Sequence, residues 1–154
     1  MSNPSTGRKS LARNRRAFHE YIVDERLEVG IELRGTEVKS MRAGQFNFSD
    51  SYARIREGEL FLIGLHITEY THGNIYNHIP DRDRKLLAHR DEITKLRRRV
   101  DEKGYTLIPL EFYLVKGLVK LELGICKGKK LYDKRESLKQ KDQERDAQRE
   151  MRSY

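Results

Sequence analysis

The chain has 154 residues, is 36% hydrophobic and 36% charged, and carries a formal charge of +8. That length fits one domain with a real core plus extensions, and the positive balance selects anionic partners, nucleic acid ahead of membrane. No apolar run approaches the ~20 residues of a membrane span, the N-terminus lacks a signal-peptide segment, and a single cysteine, Cys126, excludes an internal disulfide and fits a reducing cytoplasm.

Residues 1–13 are polar and basic and include Pro4 and Gly7, which predicts a flexible N-terminal arm. From Arg16 to Leu33 the pattern is strand-like. Phe18, Ile22, Leu27, Val29, Ile31 and Leu33 interleave with charges, and Asp24-Glu25 marks a bend. Thr36 to Ala43 reads as a short helix stopped by Gly44, with Val38 and Met41 on its buried side. Phe48 to Ile67 is a hairpin turning at Glu57-Gly58-Glu59, and 68–85 is a long loop broken by Gly73, Asn74, Asn77 and Pro80. Helical spacing returns at Leu86, Leu87, Ile93, Leu96 and Val100, with His89 or Asp91 as N-cap and Gly104 as C-cap. A second hairpin, turning at Lys116-Gly117, closes the core.

About six strands with one or two inserted short helices predict a small closed β-barrel of the OB type, spanning 14–126. The stretch 127–154 is different. It holds ten Lys/Arg against six Asp/Glu, and after Tyr132 its only apolar side chains are Leu138, Ala147, Met151 and Tyr154. That is too few to bury a helix face, so a basic C-terminal tail is expected, disordered or partly helical alone and ordered by a polyanion.

No catalytic or metal-binding constellation stands out. His66, His72 and His78 recur at intervals of six, which matches no zinc signature, and no second cysteine helps. Asp24-Glu25, Asp50 and Asp81/Asp83 fall in predicted turns without metal-ligand spacing. His19 reads as a packed ring within a strand rather than a general base. A non-enzymatic protein without cofactor is expected.

Several strings in one order carry more than fold class: NRRAFHEY (14–21), GIELRGTEVKSMRAG (30–44), SDSYARI (49–55), RDRKLL (82–87), LVKLELGICKGKK (118–130) and LYDKRE (131–136). Together they resemble the SsrA-binding protein family, SmpB, the protein partner of transfer-messenger RNA. The resemblance implies an OB-fold core that holds the tRNA-like part of that RNA. It also implies a tail that enters the empty mRNA channel of a stalled ribosome. Position 132 is Tyr where other relatives have His, which keeps an aromatic ring there. A monomer is expected, with transfer-messenger RNA and ribosomal RNA as partners and no membrane.

Candidate RNA contacts follow from chemistry and resemblance together. Asn14, Arg15 and Arg16 can read a base edge or grip phosphates, or form a solvated arm. Glu28 lies at a position the resemblance links to RNA, and Gly30 leaves room for close backbone approach; Glu32 and Glu37 read as structural or charge-pairing. Arg84 and Lys85 can clamp phosphates while Leu86 or Leu87 packs on a base, although leucines in the core and cations in solvent fit nearly as well. Arg97, Arg98 and Arg99 read as surface. In the tail, Lys127, Lys129 and Lys130 can contact rRNA phosphates, and the resemblance places Tyr132 on a decoding-centre base. Asp133 has capping-box-like spacing to Glu136, which puts Lys134 and Arg135 in the first turn of an induced helix. A structural OB-fold component of the ribosome, its basic tail filling an rRNA groove, is the alternative reading.

Overall fold

The computed structural model describes residues 7–72 and 77–129, and these are mainly β. β1 (Arg8–Arg13), α1 (Arg15–Glu20) and the long β2 (Tyr21–Ile31) lead into α2 (Gly35–Arg42). Next come β3 (Phe46–Asn47), β4 (Tyr52–Arg56), β5 (Glu59–Ile63), β6 (His66–Ile67) and β7 (Arg84–Leu87). α3 (Arg90–Lys103), β8 (Thr106–Val115) and β9 (Leu118–Gly128) complete the order.

Antiparallel pairing runs β8-β4-β5-β7-β2-β9 and returns from β9 to β8, so the sheet closes into a ring. Alternation fills it: Val29 and Ile31 of β2 and Leu121, Leu123 and Ile125 of β9 point inward and are buried. The expected bend in β2 is a bulge between Val23 and Glu25, which lets one long strand follow the curve. The ring is thinnest at β4–β8, paired only at Ala53–Leu107. α3 covers that opening, with Leu96 buried and Ile93 and Val100 packed on the core. Gly104 ends α3 in the left-handed conformation (φ 69°).

Three expectations are corrected. Residues 8–13 are not an arm: they pair with β8 from Arg8–Val115 to Arg13–Glu111, and Leu11 packs on the core. Residues 15–20 are helix, not strand. A second bulge in β8, between Pro109 and Glu111, leaves carbonyls for Asn14 to bind. The Asn14 backbone N–H donates to Leu110 O (2.7 Å), and Nδ2 donates to Pro109 O (2.8 Å). Its Oδ1 accepts from Ala17 N–H (3.2 Å), capping α1, whose Ala17 packs with Ile108, Leu110 and Cys126. Finally, Leu86 and Leu87 belong to a strand, because Arg84 and Leu86 must face in and Lys85 and Leu87 out to fit between β5 and β2.

Gly124 sits under the β8 bulge. A Cβ there would come within 2.7 Å of Leu110 Cδ1 and 2.9 Å of Cys126 Sγ, both in the packed outer cluster. Gly124→Ala should therefore lower stability by about 1–3 kcal/mol through overpacking. A denaturant midpoint equal to that of the parent chain would count against this.

Candidate nucleic-acid interface

Register brings three predicted residues together. Gly30 of β2 stands between Leu87 of β7 and Lys120 of β9, and Glu28 lies two residues along the same strand. A Cβ at Gly30 would come within 3.2 Å of Leu87 Cβ, so glycine lets β7 close in. The result is an open cleft of about 410 Å³ lined by Glu28, Gly30, Leu87, His89, Glu92 and Lys120. Leu87 is 47% exposed, an apolar side chain with no core to fill. α3 contributes the rim: His89 is its N-cap residue, and the Glu92 carboxylate accepts from His89 N–H at 2.9 Å.

Glu28 is oriented from behind. The buried Tyr113 hydroxyl donates to its Oε2, and the Arg8 guanidinium lies 3.7 Å over the Tyr113 ring. Arg8 in turn bridges Glu111 (2.9 Å) and Glu122 (3.1 Å), and Arg26 binds Glu122 (2.9 Å). Burial, then Glu28, pushes the Tyr113 phenol well above its ordinary value, so it stays a donor. One carboxylate oxygen of Glu28 is thus held. The exposed carboxylate can accept from a guanine edge or a ribose hydroxyl, while Lys120 offers a phosphate contact across the cleft.

The other predicted contacts divide. Asn14 is buried and its amide is spent on the α1 cap, whereas Arg15 and Arg16 are exposed. Arg16 binds Glu20 (2.9 Å) and Asp50 (3.0 Å). Arg84 does not face solvent at all. It is fully buried, with Nε donating to Glu37 (2.6 Å) and its terminal nitrogens donating to the carbonyls of Leu65 (2.8 Å), Arg82 (3.1 Å) and Pro80 (2.8 Å). Leu86 is core, and the partly exposed Lys85 binds Glu59 at 3.1 Å. Glu37 is charge-pairing, as its sequence reading had it.

At the barrel's exit, the Lys127 ammonium lies 4.8 Å from the centre of the Tyr105 ring, and the Arg99 guanidinium lies 4.3 Å from it. Arg99 is fixed to Asp24 and Glu25 at the β2 bulge, which raises its pKa above the ordinary value. Lys127 and Lys129 are within the described residues; Lys130, Tyr132, Asp133, Lys134 and Arg135 lie outside them.

Lys120 was not singled out in the sequence, and His89 only as a helix N-cap. Lys120 alternates outward with Leu121, but its place beside Glu28 depends on the β2–β9 register. Among the described residues no group of three or more His, Cys, Asp or Glu is placed to hold a metal ion, and no helix is long and apolar enough to cross a membrane. Burial pushes the Cys126 thiol up to about 12, which leaves it unreactive near neutrality.

Fold and surface together define a small β-barrel protein that gathers a held carboxylate, a lysine and an exposed leucine in one outer cleft. A family model described as SmpB protein matches residues 11–153. The chain is 57% identical over 146 residues to an SsrA-binding protein of Treponema pallidum, covering 95% of each. It is 53% identical to that of Geobacter metallireducens over 146 residues, again covering 95% of each. A solved chain described as "tmRNA-SmpB: a journey to the center of the bacterial ribosome" aligns with TM-score 0.65 and 47% identity, over 76% of this chain and 82% of that one. The chain belongs to the SmpB protein family.

Proposed function

We propose that this protein is the RNA-binding partner of transfer-messenger RNA in ribosome rescue. Its barrel, taken as an OB-fold over 14–126, binds the tRNA-like part of that RNA and delivers it to stalled ribosomes. The tail, 127–154, occupies the vacant mRNA channel, where Tyr132 stacks in the decoding centre. It acts in the cytoplasm, as a monomer, by binding and without catalysis. The observation that supports this reading best is the cleft, where Glu28 and Gly30 of β2 converge with the distant Leu87 and Lys120 on one outer face. Arg15 and Arg16 are exposed on α1 as further phosphate contacts, and Lys85 stands on β7 beside Leu87.

The test is a titration of full-length protein with transfer-messenger RNA and with ordinary tRNA. Glu28→Ala should weaken transfer-messenger RNA binding about tenfold, the size of a lost hydrogen bond to a charged group. Tyr113→Phe, which removes the supporting donor and keeps the carboxylate, should lose far less. Unchanged affinity in Glu28→Ala, or equal binding of both RNAs by the parent protein, would reject the cleft as the recognition site.

A further inference from the structure

We infer a second RNA site, beyond the function proposed above: a groove between β4 and α3 that takes an unstacked nucleotide of single-stranded RNA. In the six-strand ring β4 stands opposite β2, so this groove and the Glu28 cleft lie on different sides of the barrel. Along α3 they are also separated: the cleft uses His89 and Glu92, the groove Arg97 and Val100.

The groove follows from the incomplete seam. β4 pairs along its whole length with β5, from Tyr52–Ile63 to Arg56–Glu59, but meets β8 only at Ala53–Leu107. Beyond Ala53, among the described residues, that edge of β4 has no strand opposite it. α3 covers the core without filling the gap, leaving about 430 Å³ floored by Ala53, Ile55, Val100 and Leu107. Alternation in β4 sends Tyr52 and Arg54 outward. Tyr52, 39% exposed, stands at the groove's end.

These are the parts a nucleotide needs. The Tyr52 ring offers a stacking face that accepts any base. The apolar floor takes the edge of the stacked ring, and the unpaired side of β4 offers backbone donors and acceptors to the base edge. Arg54 and Arg97 are both exposed and, among the described residues, neither forms an ion pair, unlike Arg8, Arg16, Arg26, Arg56, Arg82, Arg84 and Arg99. They are the groove's phosphate contacts. Asp101, one turn after Arg97 on α3, repels phosphate and can accept from a 2′-hydroxyl, which directs the backbone towards the two arginines. Tyr105 is a fixed wall rather than a stacking ring, because Arg99 and Lys127 already lie over it.

The experiment uses full-length protein and a decauridylate carrying 4-thiouridine, with photo-crosslinks mapped to peptides. Crosslinks are expected on the peptide that contains Tyr52. Tyr52→Ala should remove them and weaken decauridylate binding about tenfold, while Tyr52→Phe retains both. Arg54→Gln with Arg97→Gln should lower the salt slope by about 1.4, the release expected for two single-strand phosphates. Transfer-messenger RNA is titrated in parallel, and the Tyr52 variants should bind it as the parent does. Crosslinks confined to other peptides, or unchanged affinity in Tyr52→Ala, would overturn the groove. Loss of transfer-messenger RNA preference with the Tyr52 crosslink intact would overturn the proposed function instead and leave the groove standing.

Discussion

Glu37→Ala should destabilise the fold by about 3–5 kcal/mol, the loss typical when one partner of a buried ion pair is removed. Glu37 and Arg84 are both fully buried, and Glu37 binds the Arg84 Nε at 2.6 Å. It also accepts from Arg82 (2.6 Å) and from the Arg34 backbone N–H (2.7 Å), so one carboxylate ties α2 to the loop before β7. His78, also buried, adds to the same tie: its ring bridges Thr36 Oγ1 (2.9 Å) and Ile67 O (2.8 Å). Alanine would leave the Arg84 guanidinium buried among backbone carbonyls with no carboxylate bonded to it. Against a total stability of about 5–15 kcal/mol, that loss should lower the melting midpoint by about 10 °C. A drop below about 1 kcal/mol would mean that water reaches Arg84 and screens it.

The same carboxylate gives a pH signature. Burial alone would raise the Glu37 pKa, but Arg82, the Arg34 N–H and Arg84 outweigh it and hold the group below its ordinary value. A depressed folded-state pKa contributes stability that is present above the unfolded value, about 4.3, and is lost as pH falls through the folded value. The parent protein should therefore lose stability on acidification below about pH 4, with a shallower decline in Glu37→Ala.

What the sequence showed and what it hid divide along the range of the interactions. β2, α3 and both hairpins were readable because their signals are local. Leu27, Val29 and Ile31 alternate, Ile93, Leu96 and Val100 recur at helical spacing, and Glu57-Gly58 and Lys116-Gly117 take the positive φ that tight turns require. α1 was not readable. Six residues make a marginal helix, and it is held by Asn14 binding Pro109 and Leu110, nearly a hundred residues away and only where β8 bulges. Likewise Arg84 read as a phosphate clamp or a solvated cation, exposed in either case. Its shared parity with Leu86 was the available sign that it points inward, where Glu37 meets it. The cleft was half visible: Glu28, Gly30 and Leu87 by type and resemblance, Lys120 only through strand register.

Removing the tail's side chains should separate two activities that the parent protein combines. Tyr132→Ala, or Asp133→Ala with Arg135→Ala, is expected to leave transfer-messenger RNA affinity within about twofold, because the barrel cleft is untouched. Tagging of peptides on stalled ribosomes should be lost. With ten cations, six anions and few apolar side chains, the composition of residues 127–154 offers little to bury. Pairs such as Glu136/Lys139, Asp142/Arg145 and Asp146/Arg149 would each add only about 0.2–0.5 kcal/mol to a helix, so the proposal assigns its ordering to rRNA contacts. Under the function proposed above, those contacts would be open only where no mRNA fills the channel, and the tail would sense vacancy by equilibrium alone. Under the same proposal, a Tyr132 stack would be worth about 1–3 kcal/mol, which by itself would shift occupancy about fivefold or more. Gel-shift titration and a tagging assay on the same variants give the comparison. Equal loss in both assays would show that the tail grips RNA generally, and that the cleft on β2, β7 and β9 does not act alone in recognition.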